Sequence, residues 1–142
     1  LDDKEFIYNL KKLSNYKYIE TIWGWDEAYQ EKDFDSDFNL HDFQMVTVDG
    51  KDIGFIQIIE TSETVNITEI HLISAAQGKG IGSSIIRNII QTALDQGKTV
   101  CIGCFKENKR AFRLYLSLGF KLIDTTESHY LMMYRYTPQT SL

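Results

Sequence analysis

The chain has 142 residues, 43% of them hydrophobic; that length and composition fit one globular domain, 1–142, able to bury on the order of two thirds of its unfolded surface. Its net charge of −5 argues against nucleic acid as a partner, since backbone binding rests on clustered Lys and Arg. No run is long and apolar enough to span a bilayer and no signal-peptide pattern opens the chain, so no membrane partner is expected and the expected compartment is cytoplasmic.

Phe6, Ile7, Leu10, Leu13, Ile19, Ile22 and Trp23 recur at helical spacing and predict a helix over about residues 3–22. Gly24 interrupts it, and a short helix is predicted from Asp26 to Phe34, with the polar stretch Asp33 to Asp42 as a loop. Gln44 to Val48 reads as a strand, Asp49-Gly50 as a hairpin turn and Asp52 to Glu60 as the return strand. Val65 to Ile73 makes a third strand, completing an antiparallel meander.

The next stretch, Gln77-Gly78-Lys79-Gly80-Ile81-Gly82-Ser83-Ser84, carries three glycines in five positions before a strongly periodic helix. A backbone so bare of side chains can turn successive N–H groups inward as an anion-binding nest. The positive end of the helix dipole lies behind it. Ile85, Ile86, Ile89, Ile90, Ala93 and Leu94 form the helix's apolar face; Ser83 or Ser84 is expected to cap its start and Gly97 to end it.

Thr99 to Phe105 reads as a strand parallel to the one before the glycine loop, because a helix crosses over between them. It contains Cys101 and Cys104. Residues three apart on a strand face opposite ways, so the pair is read as two small core residues and no metal is expected. Asn108 opens a second helix that Gly119 stops, with Phe120 packing back on the last turn. Phe120 to Thr125 and His129 to Tyr136 form a closing hairpin. The predicted order is ααβββαβαββ, an α/β (α+β) mixed sheet with helices on it.

Two segments carry a family resemblance. Gln77-Gly78-Lys79-Gly80-Ile81-Gly82 resembles the pyrophosphate signature Q/R-x-x-G-x-G/A of the GNAT N-acetyltransferase superfamily. The run from Asn108 to Phe120 resembles its N-x-x-A-x-x-x-Y-x-x-x-G-F segment. Together, in this order and one helix and one strand apart, they are highly specific; the resemblance covers about Met45 to Tyr136. Trp23-Gly24-Trp25-Asp26-Glu27 is similar to a segment of a recurrent bacterial subgroup. The chain departs from the family in three places. Leu1-Asp2-Asp3 leaves no room for the usual leading strand, which either precedes the given sequence or is absent, Ser74-Ala75-Ala76 replaces the usual Pro-Glu-Tyr, and Gly103-Cys104-Phe105 offers no glutamate base.

The resemblance implies a GNAT-like acyl-CoA N-acyltransferase fold and transfer of acetyl from acetyl-CoA to a primary amine by direct attack. The amine would belong to a small molecule or a peptide. Gln77, Gly78, Lys79, Gly80, Ile81, Gly82 and Ser83 would hold the pyrophosphate. Backbone groups of Leu72 and Ile73, where the family's two parallel strands splay, would hold the pantetheine arm and an oxyanion. Asn108 would bond the arm from the other side, besides capping its helix. Tyr115, two helical turns after Asn108 and on the same side, matches the family's general acid.

Glu69 is the first choice of base, acting through water; Glu60 and Glu27 are further options. His71 is set aside on the expectation that it faces the other way from Glu69. Trp23, Trp25, Asp26 and Glu27 fall where the family builds its acceptor pocket, and the two indoles could hold a cation by their faces.

Two other readings compete. A dinucleotide-binding fingerprint is contradicted by Ser83 at the third glycine position and by the meander before it. A non-catalytic acetyl-CoA-binding module on the same fold would have no use for Tyr115. The acceptor's identity and the oligomeric state, homodimer included, stay open.

Overall fold

The computed structural model describes residues 2–138. The elements run α1 (Asp3–Ile22), α2 (Glu27–Asp37), β1 (Phe43–Val48), β2 (Lys51–Glu60), β3 (Thr64–Leu72), α3 (Ile81–Asp95), β4 (Thr99–Phe105), α4 (Lys109–Ser117), β5 (Lys121–Thr125) and β6 (His129–Tyr134). This is the order read from the sequence. The six strands form one sheet in the order β1-β2-β3-β4-β6-β5. β3 and β4 pair in parallel from Thr64↔Thr99 to Ile67↔Ile102, with α3 as the crossover. β1 and β2, β4 and β6, and β5 and β6 pair antiparallel. The place of a leading strand, at and before Leu1, lies outside the described residues. No helix among them is long and apolar enough to cross a membrane.

Local chemistry explains most boundaries. Asp2 caps α1 by accepting the Glu5 N–H at 2.8 Å. Asp49 (φ 53°) and Gly50 (φ 75°) both have positive φ, the backbone of a type I′ hairpin turn. α3 and α4 end alike. The Gly97 N–H donates to the Leu94 carbonyl and the Lys98 N–H to that of Ala93; the Gly119 N–H donates to Leu116 and the Phe120 N–H to Tyr115. Both are Schellman stops, with glycine in the left-handed position.

The chain forms two compact units. One holds the described residues up to Gln57 together with Glu69–Ala76; the other holds Ile58–Thr68 together with the described residues from Gln77 on. In the first, Ile7, Leu10 and Phe55 form a buried cluster under Phe6, Phe34, Phe38, Phe43, Met45 and Ile73. The expectation of a loop over Asp33 to Asp42 is corrected here. α2 continues to Asp37 and a short helical turn follows at Leu40–Asp42. Phe34 and Phe38 pack on the cluster, so tertiary burial overrides the segment's polar composition. In the second unit, Ile86, Ile90 and Ala93 of α3 are buried, as are Val100, Ile102 and Cys104 of β4.

Candidate active site

The glycine loop lies in the second unit. Gly78 (φ 75°) and Gly80 (φ 81°) both have positive φ, and Lys79 between them does not. Alternation of this kind turns neighbouring N–H groups toward one point. Gly80 is the N-cap of α3 and supplies no side-chain cap bond. The expected cap by Ser83 or Ser84 is therefore corrected: both lie inside the first turn, and the Ser84 N–H bonds the Gly80 carbonyl at 3.0 Å. A side chain built at Gly80 would meet no protein atom within 4 Å, whereas one at Gly78 would come within 3.8 Å of an Arg110 guanidinium nitrogen. Arg110 thus joins Lys79 as a cation at the loop. Sequence reasoning missed it, since only the tertiary fold carries the first turn of α4 to Gly78. Gln77, Lys79 and Gly80 are exposed, while Ile81, Gly82 and Ser83 are partly covered.

α4 begins with Asn108, whose Oδ1 accepts the Ala111 N–H at 3.1 Å. The capping role is thus met. The Asn108 side-chain amide nitrogen has no partner among the described residues. Tyr115 sits further along the same helix, 7% exposed. Its ring lies 6.1 Å from that of Phe120, so the Schellman stop fixes the tyrosine through both its carbonyl and its ring. Its hydroxyl has no hydrogen-bond partner among the described residues, yet no buried side-chain polar atom is left unsatisfied; the hydroxyl therefore reaches solvent. Burial, and to a lesser degree Cys104, push its pKa above the ordinary tyrosine value. It holds its proton across the physiological range.

Cys101 and Cys104 are free thiols, the second buried. Burial raises both pKa values; Cys104 takes the expected core place, while Cys101 is only partly covered and lies outside the core. Glu60 is paired with Lys98 at 3.0 Å.

The first unit holds the remaining candidates. Glu27 is a hub. It accepts from the Trp25 indole N–H at 2.6 Å, the Lys12 ammonium at 2.9 Å and the Tyr8 hydroxyl at 3.4 Å. These bonds, that from Trp25 foremost, lower the Glu27 pKa. Burial, with Glu27 and Glu31 nearby, pushes the Tyr8 hydroxyl up to about 12. Asp26 caps α2 by accepting the Tyr29 N–H at 3.1 Å. Lys12 lies 5.7 Å from the Trp25 ring centroid, so that indole already faces a cation from the chain itself. Trp23 is 62% exposed at the end of α1. A small cleft beside α1 and α2 is lined by residues that include Lys11, Asn15, Trp25 and Phe34.

Glu69 and His71 come together, against expectation. His71 Nε2 lies 3.1 Å from Glu69 Oε2. Residues two apart on a strand share a face, so the reading that set His71 aside is corrected. Burial acts to raise the Glu69 pKa, but His71, Lys11 and Asn15 outweigh it and hold the carboxyl below its ordinary range. Leu72 is the last residue of β3. The Ile73 N–H donates to the Ile53 carbonyl at 2.8 Å and its carbonyl accepts from Ala76 at 2.9 Å. Both backbone groups of Ile73 are thus used within the fold.

Residues 5–120 match the family described as Acetyltransferase (GNAT) family, and the chain belongs to that family. Among relatives, it is 29% identical over 79 residues to an uncharacterized N-acetyltransferase of Mycobacterium tuberculosis, an overlap of 54% of this chain and 51% of that protein. It is 31% identical over 83 residues to the thialysine N-epsilon-acetyltransferase of Mus musculus, covering 58% of this chain and 48% of that one. The chain thus spans about half the length of the curated relatives it matches. Among solved structures, the PaiA N-acetyltransferase of Thermoplasma acidophilum, in complex with coenzyme A, superposes with a TM-score of 0.74 at 20% identity. That match covers 94% of this chain and 93% of the other.

Proposed function

We propose that the protein is an N-acetyltransferase that moves the acetyl group of acetyl-CoA to a primary amine. The observation that carries this is the glycine loop: positive-φ glycines at the start of a helix without a side-chain cap, beside Lys79 and Arg110. Such a site suits a pyrophosphate, which takes several N–H bonds and a cation at once. N–H groups of Gly78 to Ser83 would donate to it. Asn108 would bond the pantetheine arm through its side-chain N–H. Names among the relatives are consistent with an amine acceptor, since the mouse protein is named for acetylating an ε-nitrogen.

In the reaction, the neutral amine nitrogen attacks the thioester carbon and a C–N bond forms as the carbonyl electrons move to oxygen. Collapse of that intermediate breaks the C–S bond. The attacking nitrogen gives its surplus proton to water, the Tyr115 hydroxyl gives its own proton to the departing sulfur, and the tyrosine takes one back from solvent, so that one proton in all passes from nitrogen to sulfur. Burial keeps the hydroxyl protonated until that moment.

The test is a calorimetric titration with acetyl-CoA, alongside thiol release with ethanolamine, lysine and a short peptide bearing a free N-terminus. Wild type is expected to bind and to turn over at least one amine. Gly80→Glu, which fills and charges the nest at a left-handed position, is expected to abolish binding. Unchanged affinity in that variant would sink the loop assignment. Binding without thiol release from any amine would favour a non-catalytic module.

A further inference from the structure

Charge is spread unevenly along this acidic chain. From Gly78 to Ser117, the run from the glycine loop through α4, seven Lys and Arg stand against two Asp and Glu, a net of +5 where the whole chain carries −5. Lys98 is paired with Glu60. Lys79 and Arg110, the two cations at the loop, pair with no carboxylate among the described residues. A local excess of unpaired cations in an acidic protein marks the part that meets an anion.

Arg110 is placed differently from Lys79. Lys79 is an exposed residue of the loop itself. Arg110 is the second residue of α4, yet its guanidinium reaches across to the loop, 3.8 Å from where a Gly78 side chain would begin. The absence of that side chain is what lets the guanidinium come so close. Loop and Arg110 belong to the same compact unit. Two anion holders therefore stand side by side. The backbone N–H groups around Gly78 and Gly80 suit one phosphate. The planar fork of Arg110 suits two oxygens of a neighbouring one.

Resting on the N-acetyltransferase reading, we propose that the donor site selects acyl groups carried on a diphosphate, and that Arg110 is the selecting residue. Free acyl-CoA is then accepted, while the same acyl group on a phosphopantetheine arm tied to a protein through a phosphodiester binds weakly. A diphosphate presents two adjacent phosphates, each with a charge, and these match the nest and the guanidinium. A phosphodiester presents a single phosphate with a single charge. The nest can take it, but the Arg110 fork is then left without its anion. A charge-assisted, two-toothed contact of this kind is worth about 10- to 100-fold in affinity. CoA also bears a 3′-phosphate, so the test has to separate that group from the diphosphate.

The experiment is a calorimetric titration of the full chain with three ligands: CoA, 3′-dephospho-CoA, and the methyl phosphodiester of 4′-phosphopantetheine. The first two share the diphosphate and the third lacks it. Wild type should bind the first two at least about tenfold tighter than the third. Arg110→Gln should weaken CoA and dephospho-CoA alike by about 10- to 100-fold and the diester by less than about threefold. An equal loss for all three ligands overturns the proposal, because Arg110 would then serve any phosphate. A loss confined to CoA overturns it too, because Arg110 would then read the 3′-phosphate. So does unchanged affinity for CoA, with the acetyltransferase reading left standing. Should Arg110→Gln not fold, Arg110→Lys decides: it keeps the charge and loses the fork, so the same pattern is expected at a smaller loss. An unchanged ratio between dephospho-CoA and the diester in that variant overturns the proposal. A wild-type protein that binds none of the three removes the broader reading and this inference with it.

Discussion

At Tyr115 one residue carries both packing and proposed chemistry. Its carbonyl closes the Schellman stop and its ring meets Phe120, while its hydroxyl is left for chemistry. Removing only the hydroxyl, as Tyr115→Phe, should keep the fold and acetyl-CoA affinity. It should lower single-turnover rates by about 10² to 10⁴, the usual worth of a positioned proton donor. A full wild-type rate in the folded variant would exclude the acid role. The shift has a consequence for stability too. The folded-state pKa is raised, so the contribution is complete below the unfolded tyrosine value of about 10 and is lost as pH climbs above it. The position of Tyr115 was legible because its helix stop is written locally, in Gly119-Phe120. His71 was missed through the strand period itself, since residues two apart share a face. Arg110 had no local signal at all.

The element that most changes meaning in the structure is the corner Trp23-Gly24-Trp25-Asp26-Glu27. As sequence it reads as an acceptor pocket, rich in aromatic rings and carboxylates. In the fold, the Trp25 backbone N–H is taken by the Glu20 carboxylate, Asp26 caps α2, and Glu27 binds Lys12 of α1. These bonds clasp two helices. Composition could not reveal this, because the lysine that neutralises Glu27 lies fifteen residues away in the chain. Asp26→Ala separates the roles. Loss of an N-cap costs about 1 kcal/mol, and the expected result is a stability loss of that size with an unchanged KM for the amine. A KM raised severalfold at full stability would restore Asp26 to the acceptor site. Helix and strand order was readable where hydrophobic period and stop signals agreed, as in α1, α3 and α4. It failed over Asp33 to Asp42, where two phenylalanines outweigh a polar surround.

For the whole molecule, the strands raise the question of cooperativity. β2 crosses from one compact unit to the other at Gln57/Ile58, and β3 at Thr68/Glu69. A continuous hydrogen-bonded strand resists melting at one end alone, so we propose that the chain unfolds as the single domain its length suggests. Each unit carries its own reporter. Both tryptophans, Trp23 and Trp25, belong to the first unit, while the glycine loop, Arg110 and the buried thiol of Cys104 belong to the second. Acetyl-CoA at about one hundred times its Kd should stabilise the folded state by about 2.7 kcal/mol, or roughly 6–12 °C in Tm for a domain of this size. Indole fluorescence should follow the first unit and pulsed thiol labelling of Cys104 the second. The two midpoints should coincide without ligand and rise together with it. A shift in the Cys104 midpoint that leaves the tryptophan midpoint behind would show two independently melting units, and the ligand's stabilisation would then be confined to the unit that carries the loop.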